Sequence, residues 1–184
     1  MAKTFDATLN VMIDAHLEDW ARFLAARCGI SSGPVSSLDT DLSTTLQADR
    51  LFRIDGPVPA ILHLELESSG RLGIPSELLW YNVAARAANN LLPVHSVLVL
   101  LRPKATATDL TGTLEIPGAI GKSYLTFEYA VVRVWQESLE TLLSAGPGIA
   151  PLAMLTNEAA ADLPDAAGRI HEVPGEIASR WRTR

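Results

Sequence analysis

The sequence predicts an α/β domain built on a mixed four- to five-stranded sheet flanked by helices. Three observations lead there. Two strand-like runs flank a turn at Asp55-Gly56-Pro57, and an Ala-rich helical run follows Pro75. A nearly continuous apolar segment from Val94 to Leu101 then has the composition of a strand buried on both faces. A strand, a helix of about four turns and a second strand make a parallel crossover unit.

Before that unit, Leu9, Met12, Ile13, Leu17, Trp20 and Leu24 fall on one helical stripe. They predict a single amphipathic helix over 7–27, with Thr4 or Asp6 as cap and Gly29 as stop. Ser31-Ser32-Gly33-Pro34 reads as a loop, and 35–45 as a weakly signalled short strand. Asp49 to Ile54 and Ala60 to Glu67 read as the two strands of a hairpin. In the second, Leu62, Leu64 and Leu66 point one way, while His63, Glu65 and Glu67 point the other. A turn centred near Pro57 pairs Phe52 with Leu62, which sets Asp49 opposite Glu65; a slip of one residue would undo this. Downstream, Ser76 is the expected cap of a helix over 76–91, and Thr113–Ile116 with Tyr124–Trp135 reads as a further hairpin. Helices are expected over 137–144, 151–163 and 174–181, with a break at Gly146-Pro147-Gly148. This divides the chain into a domain over 1–150 and a helical extension over 151–184 packed on it. The terminal Arg180-Trp181-Arg182-Thr183-Arg184 reads as a solvated end, with a basic-aromatic nucleic-acid contact as its rival.

Composition narrows the function classes. The 184 residues are 48% hydrophobic and 20% charged, enough to bury a substantial core. No apolar stretch is long enough for a membrane span, and the first ten residues lack the apolar run of a secretory signal. The single cysteine, Cys28, suits a reducing, cytoplasmic setting and lacks a recognisable catalytic partner. The net charge of −6 argues against a generic polyanion binder, so any nucleic-acid contact needs local basic groups. Nucleophile-elbow, P-loop, dinucleotide and zinc spacings are absent from the sequence.

The ordered segments FDATLNVMID, ADRLFRI, AILHLELESS, ELLWYN, LPVHSVLVLLRP, LTFEYAVVRVWQES and GIAPLAMLT carry a resemblance across most of the chain. The chain resembles the PD-(D/E)XK nuclease superfamily, in particular the Rpn-type (recombination-promoting nuclease) family and its cyanobacterial-type relatives. That resemblance implies a restriction-endonuclease-like core and a magnesium- or manganese-dependent endonuclease acting on DNA phosphodiesters. It also implies that relatives continue past this length. It matches Asp49 and Glu65 to the catalytic, metal-holding acids, and Asp14 to an auxiliary acid, with Glu18 as competitor. Three positions depart from the pattern: Glu67 stands where Lys or Gln is usual, Glu77 where Arg is common, and Asn10 where a basic residue is common.

The chemistry suits these types. A hard cation takes oxygen ligands, one or two of them carboxylates, and activates water for attack on a phosphodiester. Asp49, Glu65 and the Leu66 carbonyl would form its half-shell, while Glu67 would hold the water or recruit a second ion. Carboxylates crowded in this way should raise at least one pKa. Glu77 and Tyr81, one turn apart, are auxiliary candidates for the same cleft, although a packed core tyrosine serves equally. His63 is read as a hydrogen-bonded structural residue ahead of a phosphate contact. Arg50, Arg53, Arg71 and Arg86 are candidate phosphate contacts, with ordinary surface charge as the competing reading. The alternative to an active nuclease is a catalytically decayed relative serving as a binding or oligomerisation module, including a homo-oligomer.

Overall fold

The computed structural model describes residues 2–31, 33–43, 46–118 and 123–173. It is an α/β architecture whose mixed five-stranded sheet is flanked by helices. The chain divides into two compact units. One spans Leu24–Val132, and the other joins the start of the chain through Phe23 to the stretch from Arg133 onward.

In the first unit, β1 (Val35–Ser37), β4 (Arg50–Ile54), β5 (Ala60–Glu67), β6 (Val94–Leu100) and β9 (Ala130–Arg133) lie side by side in the order β1-β4-β5-β6-β9. Two short strands, β2 (Asp41–Ser43) and β3 (Leu46–Gln47), pair with each other. β1 and β5 both run antiparallel to β4, and β5 runs parallel to β6. The crossover between β5 and β6 is α3 (Ile74–Ala88). The expected register holds, with Phe52 opposite Leu62 and Arg50 opposite Leu64. One more step along the same ladder sets Asp49 across from Glu65.

The second face of this hairpin differs from a solvated polar face. Ala60 to Leu64 are all buried, His63 included, and exposure begins only at Glu65. The cause is α3. Ala85 packs with Leu51 and Ile61 in one apolar cluster, and one turn earlier the Tyr81 ring meets His63 edge-on at 5.4 Å. One turn earlier again comes Glu77. Four helical residues rise ~6 Å and two strand residues ~6.6 Å, so successive turns of α3 keep step with alternate residues of β5. Replacing Ile61 by Val removes one methylene from this fully buried contact. It should lower unfolding stability by about 1 kcal/mol in urea melts.

α3 starts two residues before the expected Ser76 cap. Its N-cap is Gly73, whose amide donates to the Asp109 carboxylate (2.8 Å), and Pro75 sits in the first turn. It also ends before 91, because Asn90 and Leu91 take positive φ. β6 is flanked on both sides and buried from Ser96 onward, as its apolar run predicts. The strand expected over 124–135 is broken. β7 (Thr113–Pro117) and β8 (Ser123–Glu128) form a separate hairpin. Tyr129 then donates its amide to Gly112 and its hydroxyl to the Asp109 carbonyl, and the chain turns into β9 of the main sheet.

In the second unit the helix expected over 7–27 begins earlier and is interrupted. α1 (Ala2–Ala15) stops at His16, whose amide is shared between the Met12 and Ile13 carbonyls. α2 (Leu17–Arg27) follows and runs across the boundary at Phe23 into the first unit, where Gly29 (φ 66) supplies the left-handed residue that lets the Ile30 amide bond back to Ala25. The Gly146-Pro147-Gly148 turn packs on α2, with the Gly148 amide donating to Asp19 (3.0 Å). α4 (Leu139–Ser144) is capped by Ser138, and a short 3₁₀ segment over Ala150–Leu155 packs against it. α5 (Asn157–Ala161) and α6 (Leu163–Glu172) complete the unit. The 3₁₀ segment packs against both α4 and α6. The helix expected over 174–181 and the Arg-rich end lie outside the described residues. Among the described residues, no helix is long and apolar enough to cross a membrane.

Candidate active site

Where β4 has ended and β5 continues, the backbone loses its ladder partners, and side chains replace them. The Asp49 amide donates to Glu65 Oε1 (3.1 Å), and the Leu66 amide donates to Asp49 Oδ2 (2.9 Å). Each acid thus holds the other's strand, and the two carboxylates are brought together. In an extended strand, one residue's N–H and C=O leave on the same edge. The Leu66 carbonyl therefore faces Asp49 as well.

Behind Glu65 lies a buried polar chain. His63 Nε2 lies 2.9 Å from Glu65 Oε1, and its Nδ1 lies 3.1 Å from Ser96 Oγ. Ser96 Oγ also accepts from Asn82 Nδ2 (3.0 Å), a group that donates to the Val94 carbonyl too. With Ser96 accepting from Asn82 and donating to Nδ1, the network assigns the imidazole proton to Nε2, which donates to Glu65. Burial pushes His63 down to about 4, so it is neutral near pH 7 and adds no charge to the site. His63 is therefore the hydrogen-bonded structural residue of the two readings.

Burial pushes Glu65 up to about 7. Hydrogen bonding to Asp49 pulls the other way, and the Glu67 and Glu77 charges add to the rise. Glu67 is also raised, by burial first, against the stabilising charge and hydrogen bond of Arg71. The elevation expected for crowded acids is present, and desolvation leads its causes. Tyr81 faces the same group. Its hydroxyl is raised by partial burial and by the Glu65, Glu77 and Asp49 charges.

Glu67 lies within electrostatic reach of Asp49 and Glu65 and is held by Arg71 as well. Arg71 binds Glu67 (3.1 Å) and reaches Glu77 with both terminal nitrogens (2.5 and 2.7 Å). The three expected acids thus comprise a pair linked through backbone amides and a neighbour held by Arg71. Among the described residues, no group of three His, Cys, Asp or Glu side chains is disposed to hold a metal ion. The donor set that does converge is two carboxylates with a carbonyl edge, all hard oxygen. That set matches the one or two carboxylates magnesium takes from a protein.

The chain finds no match among family models, curated proteins or solved structures.

Asp14 is exposed on α1, in the second unit. The expected phosphate contacts are largely engaged within the protein. Arg50 donates to the Asp49 carbonyl (2.7 Å), Arg53 pairs with Asp55 (2.8 Å), and Arg71 is clamped as above. Arg86 is exposed near the C-terminal end of α3, away from the acids. Cys28 borders a separate cleft of about 330 Å³ near the start of β6, and burial raises its thiol to about 11, so it is no nucleophile near neutral pH.

Sequence reasoning missed Ser96, Asn82 and the clamping role of Arg71. Ser96 carried a signal, a lone hydroxyl inside an apolar strand, because a buried polar group requires a partner. It also missed Gly70, whose amide donates to the Lys104 carbonyl (2.8 Å) and fixes the loop that carries Arg71. A Cβ at Gly70 would sit 2.5 Å from the Thr106 carbonyl oxygen. Gly70→Ala should cost about 1–3 kcal/mol in unfolding stability, read in urea melts.

Proposed function

We propose that the protein is a metal-dependent endonuclease-like hydrolase of DNA phosphodiesters. The observation that carries this reading is the Asp49–Glu65 pair, each carboxylate accepting a backbone amide across the open end of a β-hairpin, backed by a neutral histidine. The element order supports it: helix, three antiparallel strands, helix, parallel strand is the order of a restriction-endonuclease-like core. Asp49, Glu65 and the Leu66 carbonyl would hold Mg²⁺ or Mn²⁺. That ion, when bound, supplies charge neutralisation at the phosphate and a more acidic water. The excess of Asp49, Glu65, Glu67 and Glu77 over Arg71 leaves a local negative charge that a cation relieves.

The protein's own groups have distinct tasks. His63 fixes Glu65 Oε1, leaving Oε2 to turn toward ligand or to hold the proton that its raised pKa retains. Arg71 returns a cation beside position 67, where Glu stands instead of the Lys or Gln that the resemblance implies. Tyr81 packs edge-on against His63 and lies within the field of the acid group.

The clamping of Glu67 and Glu77 by Arg71 favours a second reading, a decayed relative that keeps the fold for binding or oligomerisation. Plasmid nicking by purified protein separates the two. Conversion of supercoiled to open-circular DNA in Mg²⁺ or Mn²⁺, abolished by EDTA, supports hydrolysis. Inactivity in both metals selects the binding module.

A further inference from the structure

A protein of net charge −6 with four acids at its candidate site must supply local cations to bring a phosphodiester near them. The arginines nearest the pair are committed to protein groups. Two other cations follow the end of the neighbouring strand, β6. In the parallel register Glu65 pairs with Leu98 and Glu67 with Leu100, so these residues share a face, and the Leu101 amide donates to the Glu67 carbonyl (2.9 Å). The backbone stays extended at Arg102 (φ −154, ψ 159), which carries the alternation one step past Leu100. Arg102 thus leaves the sheet on the face that carries Glu65 and Glu67. Lys104 follows in a short 3₁₀ turn, and both side chains are exposed with no ion-pair partner among the described residues.

Their loop is fixed in place. The Lys104 carbonyl accepts the Gly70 amide, and the Asp109 carboxylate accepts the Gly73 amide (2.8 Å each). The segment carrying Arg102 and Lys104 is therefore bound at two points to the segment carrying Arg71. Ala105 between them is fully buried as an anchor.

We propose that Arg102 and Lys104 form a phosphate-contacting ledge that holds a DNA backbone alongside the acidic pair. The choice of DNA as ligand rests on the phosphodiester reading; the ledge itself rests on register and charge. Its test is the salt dependence of binding to a labelled DNA duplex by full-length protein in EDTA, where metal-dependent cleavage is silent. Each lost phosphate contact reduces the slope of log affinity against log salt by about 0.9. Arg102→Ala with Lys104→Ala should flatten the slope by about 1.8 and weaken binding at low salt at least tenfold, with an unchanged melting temperature. Arg22→Ala with Arg169→Ala, the same two-charge change on α2 and α6, should leave the slope as in the wild type. An unchanged slope in the Arg102/Lys104 double variant, an equal loss in the Arg22/Arg169 variant, or a wild type that does not bind DNA overturns the ledge. Plasmid nicking reports on the other claim separately. Nicking with an unaltered slope removes the ledge alone, whereas ledge-dependent binding without nicking supports the ledge and removes hydrolysis.

Discussion

On the proposed nuclease reading, Asp49→Asn and Glu65→Gln should each lower metal-dependent plasmid nicking by at least about 10²–10³-fold, on the order of losing one preorganised electrostatic contact in an active site. Both substitutions keep side-chain shape and an oxygen able to accept the bonds from Leu66 and Asp49, so the hairpin end remains closed. What they remove is negative charge on the two groups that converge. The folded state is checked by melting each variant beside the wild type. Retention of nicking to within a few-fold by either variant would show that the acid pair is an architectural clasp and not the reactive centre. Glu67→Gln has a smaller expected effect, because Glu67 is already held by Arg71.

The second large effect is one of pH, and it is hidden in the wild type. Burial holds His63 down to about 4 against an ordinary 6.5, and pushes Glu65 up to about 7 against 4.5. Between pH 4.5 and 6.5 the unfolded chain carries a proton on His63 and none on Glu65. The folded protein carries it on Glu65 and none on His63. Folding therefore moves a proton within the pair without net uptake, and the pair contributes a nearly flat profile in that window. Single substitutions expose the two opposed halves. In Glu65→Gln, His63 binds fewer protons folded than unfolded, so stability rises with pH from about 4 to about 6.5. In His63→Gln, Glu65 binds more protons folded than unfolded, so stability falls with pH from about 4.5 to about 7. Each half amounts to about 3 kcal/mol at full expression. Urea unfolding from pH 4 to 8, each variant minus wild type, gives two curves of opposite slope. Curves of the same sign would mean that His63 and Glu65 do not share the proton in this way.

These two experiments draw on parts of the site that differ in how far the sequence reveals them. The alternation of Leu62, Leu64 and Leu66 with His63, Glu65 and Glu67 is a local period of two, and the turn at Asp55-Gly56-Pro57 fixes where the strand folds back. Those features are enough to pair Phe52 with Leu62 and to set Asp49 against Glu65, as the structure does. The apolar run from Val94 likewise announces a strand covered on both faces. Helix ends were less legible. The start of α3 depends on Gly73 meeting Asp109, 36 residues away, and no local capping signal encodes that contact.

By itself, then, the sequence determined the strand pairing, the crossover and the closeness of Asp49 to Glu65, because period and turn chemistry act over a few neighbouring residues. Only the tertiary structure decided the electrostatic character of the site. Laying α3 across the His63–Glu65 face turned a polar strand face into a desolvated one. The loop pinned at Gly70 brought Arg71 to Glu67 and Glu77, and Ser96 and Asn82 completed the histidine's hydrogen bonds from other elements. Burial and charge pairing depend on which distant segment packs over a given side chain, and that information resides in the sum of all contacts, not in the pattern of any one strand.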